Sequence, residues 1–356
     1  GLIKIIDNTA LNSINGLMNL DTADLALTIS GNSNLTQLIN FSTRDSIKNL
    51  TISDTSLQNL DLLAGLKNIT ETLSIANNAN LTMITGLDIA SIGNRLNINN
   101  NNALVDISGF ASLESVPYIY ISENPNLSDI SGFNSLKEIS TRLSIDENDA
   151  LEDISGFNEL SSVGYLWLYQ VPLKNLDAFS SITTLSKLLL YQLYSLEDIS
   201  GLSQLERINE GVLMRLPYIP FPLEEWKLKM VGDLKLYYPY SMRNLLWLRN
   251  LEKVMGNLFF LGASIYPSTG FYSLTGLEQL RRVDGSLTIE NFGSLSNCSA
   301  IALVLGWKKG PPDDAVGGDI NITGNAEGCN TIPEVLASGT YSTQVNEILP
   351  ATSCKA

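Results

Sequence analysis

Thirty-seven aspartates and glutamates, three cysteines and no histidine bound the chemistry open to this 356-residue chain. Without histidine there is no imidazole base, no histidine metal ligand and no Ser-His-Asp relay. The sequence contains no G-x-S-x-G elbow, phosphate loop or dinucleotide glycine signature. What remains is carboxylate chemistry. Asp106, Asp129, Asp153 and Asp198 each open a D-x-S-G run two residues after a leucine. If the chain stacks as repeats, the first three fall about 5 Å apart, where like charges repel unless screened or bridged. A Ca²⁺ ion could bridge them, but no D-x-D-x-D-G loop supports a calcium site. The simpler reading is that each aspartate accepts from its own turn amides, as an Asx-turn does. Carboxylate pairs can cleave glycosides without histidine, yet an acidic surface supplies such pairs by accident. No cofactor, no metal and no catalysis are expected.

The cysteines, Cys298, Cys329 and Cys354, all lie near the C-terminus. Such clustering suggests a disulfide-stapled end and an oxidising compartment. Cys298 with Cys329 is the first choice, because they fall on neighbouring terminal repeats, and Cys329 with Cys354 is the next. Eight N-x-S/T sequons start at Asn34, Asn40, Asn49, Asn68, Asn80, Asn126, Asn297 and Asn321. This number is close to chance for the Asn, Ser and Thr content, so the sequons permit secretion without arguing for it. The net charge of −15 and pI near 4.4 oppose binding to nucleic acid and to anionic lipid. No apolar run approaches the ~20 residues of a membrane span. The first residues, Gly1 to Ile5, enter directly into the repeat pattern described next, which leads us to expect a piece of something longer.

An apolar-x-apolar triplet recurs through the chain. It begins at Ile3, Leu27, Leu50, Leu73, Leu96, Ile119, Leu143, Leu166, Leu188, Val212, Leu234, Leu258, Leu287 and Ile320, 22 to 24 residues apart as far as Leu258. A period this regular marks a solenoid, in which each unit buries its apolar face by stacking on its neighbours. The triplet alternates as a short strand with one buried face. After it, apolar residues return every third position, as in Leu127, Ile130, Phe133, Leu136 and Ile139. That step suits extended pieces, tight turns and 3₁₀ segments better than an α-helix. Asn32, Asn78, Asn101, Asn124, Asn148 and Asn325 occupy the fifth position after the triplet start. Pointing inward, they would form a ladder that satisfies backbone groups. Gly164, Gly232, Gly256, Gly285 and Gly318 stand two residues before a triplet, where a turn with positive φ is expected.

At Val163-Gly164-Tyr165-Leu166-Trp167-Leu168 and Val283-Asp284-Gly285-Ser286-Leu287-Thr288-Ile289 the chain resembles the leucine-rich-repeat form of the receptor L domain. The segment from Ile320 to Asn330 resembles the last coil of such domains, which ends in a Gly-Cys-Asn turn. The resemblance covers nearly the whole chain. It implies an extracellular or cell-surface binding or wall protein without catalysis. The expected fold is a mainly β, right-handed leucine-rich-repeat superhelix of about 14 coils with one long parallel sheet. Residues 1–286 would be coils, and 287–356 terminal coils with a cysteine-containing cap.

On such a sheet the residues between and after the apolar positions face outward. In the early coils they are small and polar. From Tyr120 they change to Trp167 and Tyr169, Leu189 and Tyr191, Leu213 and Arg215, Lys235 and Tyr237, and Phe259 and Leu261. A contiguous aromatic and aliphatic patch is expected, extended at its turn edge by Tyr194, Tyr218, Tyr238 and Tyr240. Exposed patches of this kind mark interaction sites, and Tyr, Trp and Arg are enriched at hot spots. The competing reading is that an insertion of the same polypeptide covers the patch. The chain should therefore be a non-enzymatic extracellular protein that contacts a protein partner or another copy of itself. Glycan binding, or a polysaccharide-cleaving activity, is the alternative. The Leu content of the patch favours protein, since sugar sites pair aromatics with amides and carboxylates.

Overall fold

In the computed structural model the chain is a parallel β-solenoid, described for residues 1–15, 24–38, 45–216, 225–239, 242–263, 270–306 and 315–338. Two compact units divide it, Gly1–Leu205 and Glu206–Ala356. The domain boundary expected at residue 286 lies inside the second.

In the first unit the triplets form nine parallel strands. They run from Leu2–Ile6 through Tyr118–Ser122, Glu138–Asp146 and Ser162–Tyr169 to Thr184–Tyr191. Triplet starts lie opposite one another: Leu96 faces Ile119, Ile119 faces Leu143, Leu143 faces Leu166 and Leu166 faces Leu188. The period-two pattern is realised as buried Leu166 and Leu168 beside half-buried Trp167 and Tyr169. The three-residue step resolves into 3₁₀ turns at Ser108–Phe110, Ser131–Phe133 and Ser155–Phe157. Their phenylalanines stack through the core at 5.6 and 5.1 Å between ring centres. Short second strands, Ser46–Ile47, Asn68–Ile69 and Ser91–Ile92, pair on the return side of the early coils. Within one coil Ile119, Ile121, Leu127, Phe133, Leu136 and Ile139 are fully buried. Each such side chain contributes about 1.5–3 kcal/mol of burial.

The asparagine ladder forms as expected. Asn124 lends its Oδ1 to the Asn101 amide at 3.0 Å, and its Nδ2 donates to the carbonyls of Ile98 and Ser122 at 3.0 and 2.9 Å. Asn32, Asn78, Asn101, Asn124 and Asn148 are all fully buried. The glycines before the triplets hold a different role from the one expected. None of the five has positive φ. A side chain at Gly164 would instead collide with the Thr141 carbonyl oxygen of the preceding coil, so close approach of neighbouring coils is what excludes one. Positive φ falls four residues after most triplet starts, including Asn77, Asn100, Glu123, Glu147, Gln170 and Gln192, but not at Leu216 or Gly262.

In the second unit Val212 faces Leu234, Leu234 faces Leu258, Leu258 faces Leu287 and Leu287 faces Ile320. Trp226 and Trp247 fill its core edge to face, 4.6 Å apart. Cys298 and Cys329 are disulfide-bonded, their Cα atoms 5.5 Å apart. The Gly328-Cys329-Asn330 turn then leads into a helix, Ile332–Ser338. Glu334 accepts from the Gly328 and Asn330 amides at 2.8 and 3.1 Å, and these donors hold its carboxyl below the usual range. Cys354, Asn40, Tyr218 and Tyr240 lie outside the described residues.

Candidate functional site

The eleven outward residues singled out by the repeat are all half-buried, and each directly follows a buried residue of its strand. Tyr120, Trp167, Tyr169, Leu189 and Tyr191 belong to the first unit. Leu213, Arg215, Lys235, Tyr237, Phe259 and Leu261 belong to the second. Each unit carries its own cluster.

In the first unit the register sets Tyr120 beside Ser144, Ser144 beside Trp167 and Trp167 beside Leu189. The next column reads Ser122, Asp146, Tyr169 and Tyr191. Tyr169 and Tyr191 pack at 5.6 Å between ring centres. Burial, with Glu147 next in weight, raises the Tyr169 hydroxyl above its usual pKa. A third column escaped the sequence reading, which began each strand at the triplet. It lies one residue earlier and runs Arg95, Tyr118, Arg142, Tyr165, Lys187. Cations and aromatics alternate on five consecutive coils, a signal visible once the coils are aligned.

These groups interlock. Arg95 lies over the Tyr118 ring at 4.7 Å, Arg142 over Trp167 at 4.5 Å and Lys187 over Tyr165 at 5.9 Å. Such stacking is worth about 0.5–2 kcal/mol per pair. Arg142 also donates to Ser144 Oγ at 3.3 Å, and Ser144 donates to Asp146 at 3.1 Å. Burial pushes the Asp146 carboxyl up to about 6, against the opposing pull of Ser144 and Arg142. Arg142 Nε, Trp167 Nε1 and Ser122 Oγ are buried with no hydrogen-bond partner among the described residues. Orphaned polar atoms are uncommon in folded proteins.

In the second unit Tyr237 packs on Phe259 at 5.6 Å and Arg215 lies over Tyr238 at 5.2 Å. Lys235 is tied to Asp233 at 2.7 Å. Burial and the hydrogen bonds from Asn257 and Lys235 pull Asp233 in opposite directions, and the net effect lowers its pKa.

The aspartate column behaves as Asx-turns. Asp106, Asp129, Asp153 and Asp198 accept from the amides of Ser108, Ser131, Ser155 and Ser200 at 2.6 to 2.8 Å. Among the described residues no group of three His, Cys, Asp or Glu is placed to hold a metal. Of the sequon asparagines, Asn34, Asn80, Asn126, Asn297 and Asn321 are exposed, while Asn49 and Asn68 are half-buried. Asn49 donates to Glu71 at 2.6 Å and accepts from the Thr72 amide, so its Nδ2 is already engaged.

A second feature lies along the turn edge of the first unit. It is an open groove of about 560 Å³ between the positive-φ column and the residues two positions later, with exposed Tyr194 at one end.

No family model matches the chain, and no curated protein matches it. Among solved structures it is similar to "Functional domain of InlJ from Listeria monocytogenes includes a cysteine ladder". The identity is 15%, over 80% of this chain and 65% of that one, with a TM-score of 0.30. This chain thus spans just under two thirds of the length of that relative, and the reading of its function rests on its own surface.

Proposed function

We propose that this chain is a non-enzymatic binding module that works outside the cell or at its surface and docks a protein partner. The contact is assigned to the outward face of the first unit, centred on Trp167, Tyr169 and Tyr191. One observation carries the proposal. On this face the repeat keeps its core positions and exchanges its small outward residues for interlocked aromatics and arginine, the types that dominate hot spots. A disulfide between Cys298 and Cys329 suits an oxidising compartment. The absence of histidine removes the commonest acid–base group from any catalytic scheme. No helix among the described residues is long and apolar enough to cross a membrane.

The test pairs Trp167→Ala with Tyr191→Ala in the full chain. Partner capture from the native source, followed by mass photometry, should fall at least tenfold while the melting temperature changes little. A double variant that assembles and captures normally would show that this face is not the contact. A shift of the wild-type chain itself to twice its mass would identify the partner as another copy.

A further inference from the structure

The turn-edge groove is built from side chains that the fold does not use. Its first wall is Asn100, Glu123, Glu147, Gln170 and Gln192, whose φ values run from 47 to 56°. The second wall, two residues on, is Asn102, Pro125, Asp149, Pro172 and Tyr194. The residues between the two walls in sequence, the ladder amides Asn101, Asn124 and Asn148, are fully buried and spent on backbone groups. The wall side chains are not: those of Asn100, Glu123, Glu147, Asp149, Gln170 and Gln192 enter no hydrogen bond or ion pair among the described residues. Gln192 even carries a buried Oε1 without a partner.

We propose that this groove binds an uncharged linear oligosaccharide. The side chains decide the chemistry. Amides offer a donor and an acceptor at one point, and carboxylates accept two donors, which together match neighbouring hydroxyl groups. The Tyr194 ring, 60% exposed, offers a face to the apolar side of a sugar ring, and Pro125 and Pro172 offer similar surfaces along the wall. The lining holds no Lys or Arg, so anionic glycans are repelled. The carboxylates do not converge on a point where a cation could be held. The three carboxylates sit on two adjacent coils, and the groove lining as a whole spans five coils, about 20 Å at the strand spacing, which calls for an extended ligand. This site is separate from the sheet face assigned to a protein partner, and either can fail without the other.

Positive φ supplies a clean variant. The equivalent position is glycine at Gly31 and at Gly324, so Gln170→Gly with Gln192→Gly deletes two groove side chains without straining the turn. The full chain is applied to an array of neutral glucan, mannan and chitin oligosaccharides, with titration calorimetry on the best binder. Expected are binding to at least one neutral oligosaccharide, and a loss of tenfold or more in the double glycine variant and in Tyr194→Ala. The double glycine variant should melt no lower than wild type, and Trp167→Ala should bind as wild type does. The proposal is overturned if no neutral oligosaccharide binds, or if the groove variants retain full affinity. It is also overturned if oligolysine alone binds, since that would make the groove a site for basic peptides.

Discussion

Asp146→Asn tests the electrostatics of the sheet face. The Asp146 carboxyl, usually near 3.8, is raised to about 6 by burial among Ser144, Arg142 and the neighbouring coils, with Glu147 and Glu123 adding to the rise. The folded state therefore holds this proton more tightly than the unfolded chain does. Its contribution to stability is fully present below the unfolded value and is lost as pH climbs from about 4 to about 6. A rise of roughly two in pKa corresponds to about 3 kcal/mol. Asp146 is only partly buried, so solvent screening reduces the effect to about 1–2 kcal/mol. Asparagine stays neutral throughout and can still accept from Ser144. Arg142 loses a neighbouring charge in the variant at neutral pH, a screened loss of a few tenths of a kcal/mol. Urea unfolding of both chains at pH 3.5, 5 and 7.5 gives the stability difference directly. It should be near zero at pH 3.5 and favour the variant by about 1–2 kcal/mol at pH 7.5, most of the change falling between pH 4 and 6. A difference that does not move with pH, or one that favours aspartate at pH 7.5, would refute the assignment of burial as the dominant cause.

Asn124→Ala removes a buried amide that accepts from Asn101 and donates to the Ile98 and Ser122 carbonyls. Leaving these groups unpaired should cost about 3–5 kcal/mol, read as a lowered urea midpoint with the largest gain in hydrogen exchange on the flanking strands. Replacing Cys298 and Cys329 by serine opens a crosslink spanning 31 residues. The loop-entropy relation gives about 3–4 kcal/mol, and the loss should appear in a melt as a lower transition of the second unit.

The apolar triplets, the ladder and the D-x-S-G turns were legible because each follows from one coil and a stacking rule. Leu166 and Leu168 are buried, with Trp167 half-buried between them, because a strand alternates. The asparagines are paired because each offers an acceptor and a donor to backbone groups turned inward. Gly164 was misread because a single sequence does not separate a conformational need from a spatial one. Both give an invariant-looking small residue, and only the position of the Thr141 carbonyl decides between them. The contacts made by the column of Arg95, Tyr118, Arg142, Tyr165 and Lys187 were not legible for another reason. Arg142 and Trp167 meet diagonally, between different positions of adjacent coils, and a reading along columns does not predict contacts across them.

The positive-φ column ties fold to function most closely. A left-handed backbone costs an L-residue roughly 1–2 kcal/mol, and glutamate and glutamine are poor choices there compared with glycine or asparagine. If that conformation existed only to aim the next residue into the asparagine ladder, it should stop where the ladder stops. It does not. The ladder ends at Asn148, and the following coils carry Val171 and Leu193 in its place. Gln170 and Gln192 nevertheless keep φ of 47 and 54°, and the Gln170 amide still donates to the Tyr191 carbonyl at 3.2 Å. The turn is thus held by backbone pairing between coils, independently of the side chain at its apex. That independence leaves the apex residue open to selection for something other than stability. The side chains found there, uncommitted amides and carboxylates facing one groove, are what a ligand-binding wall requires.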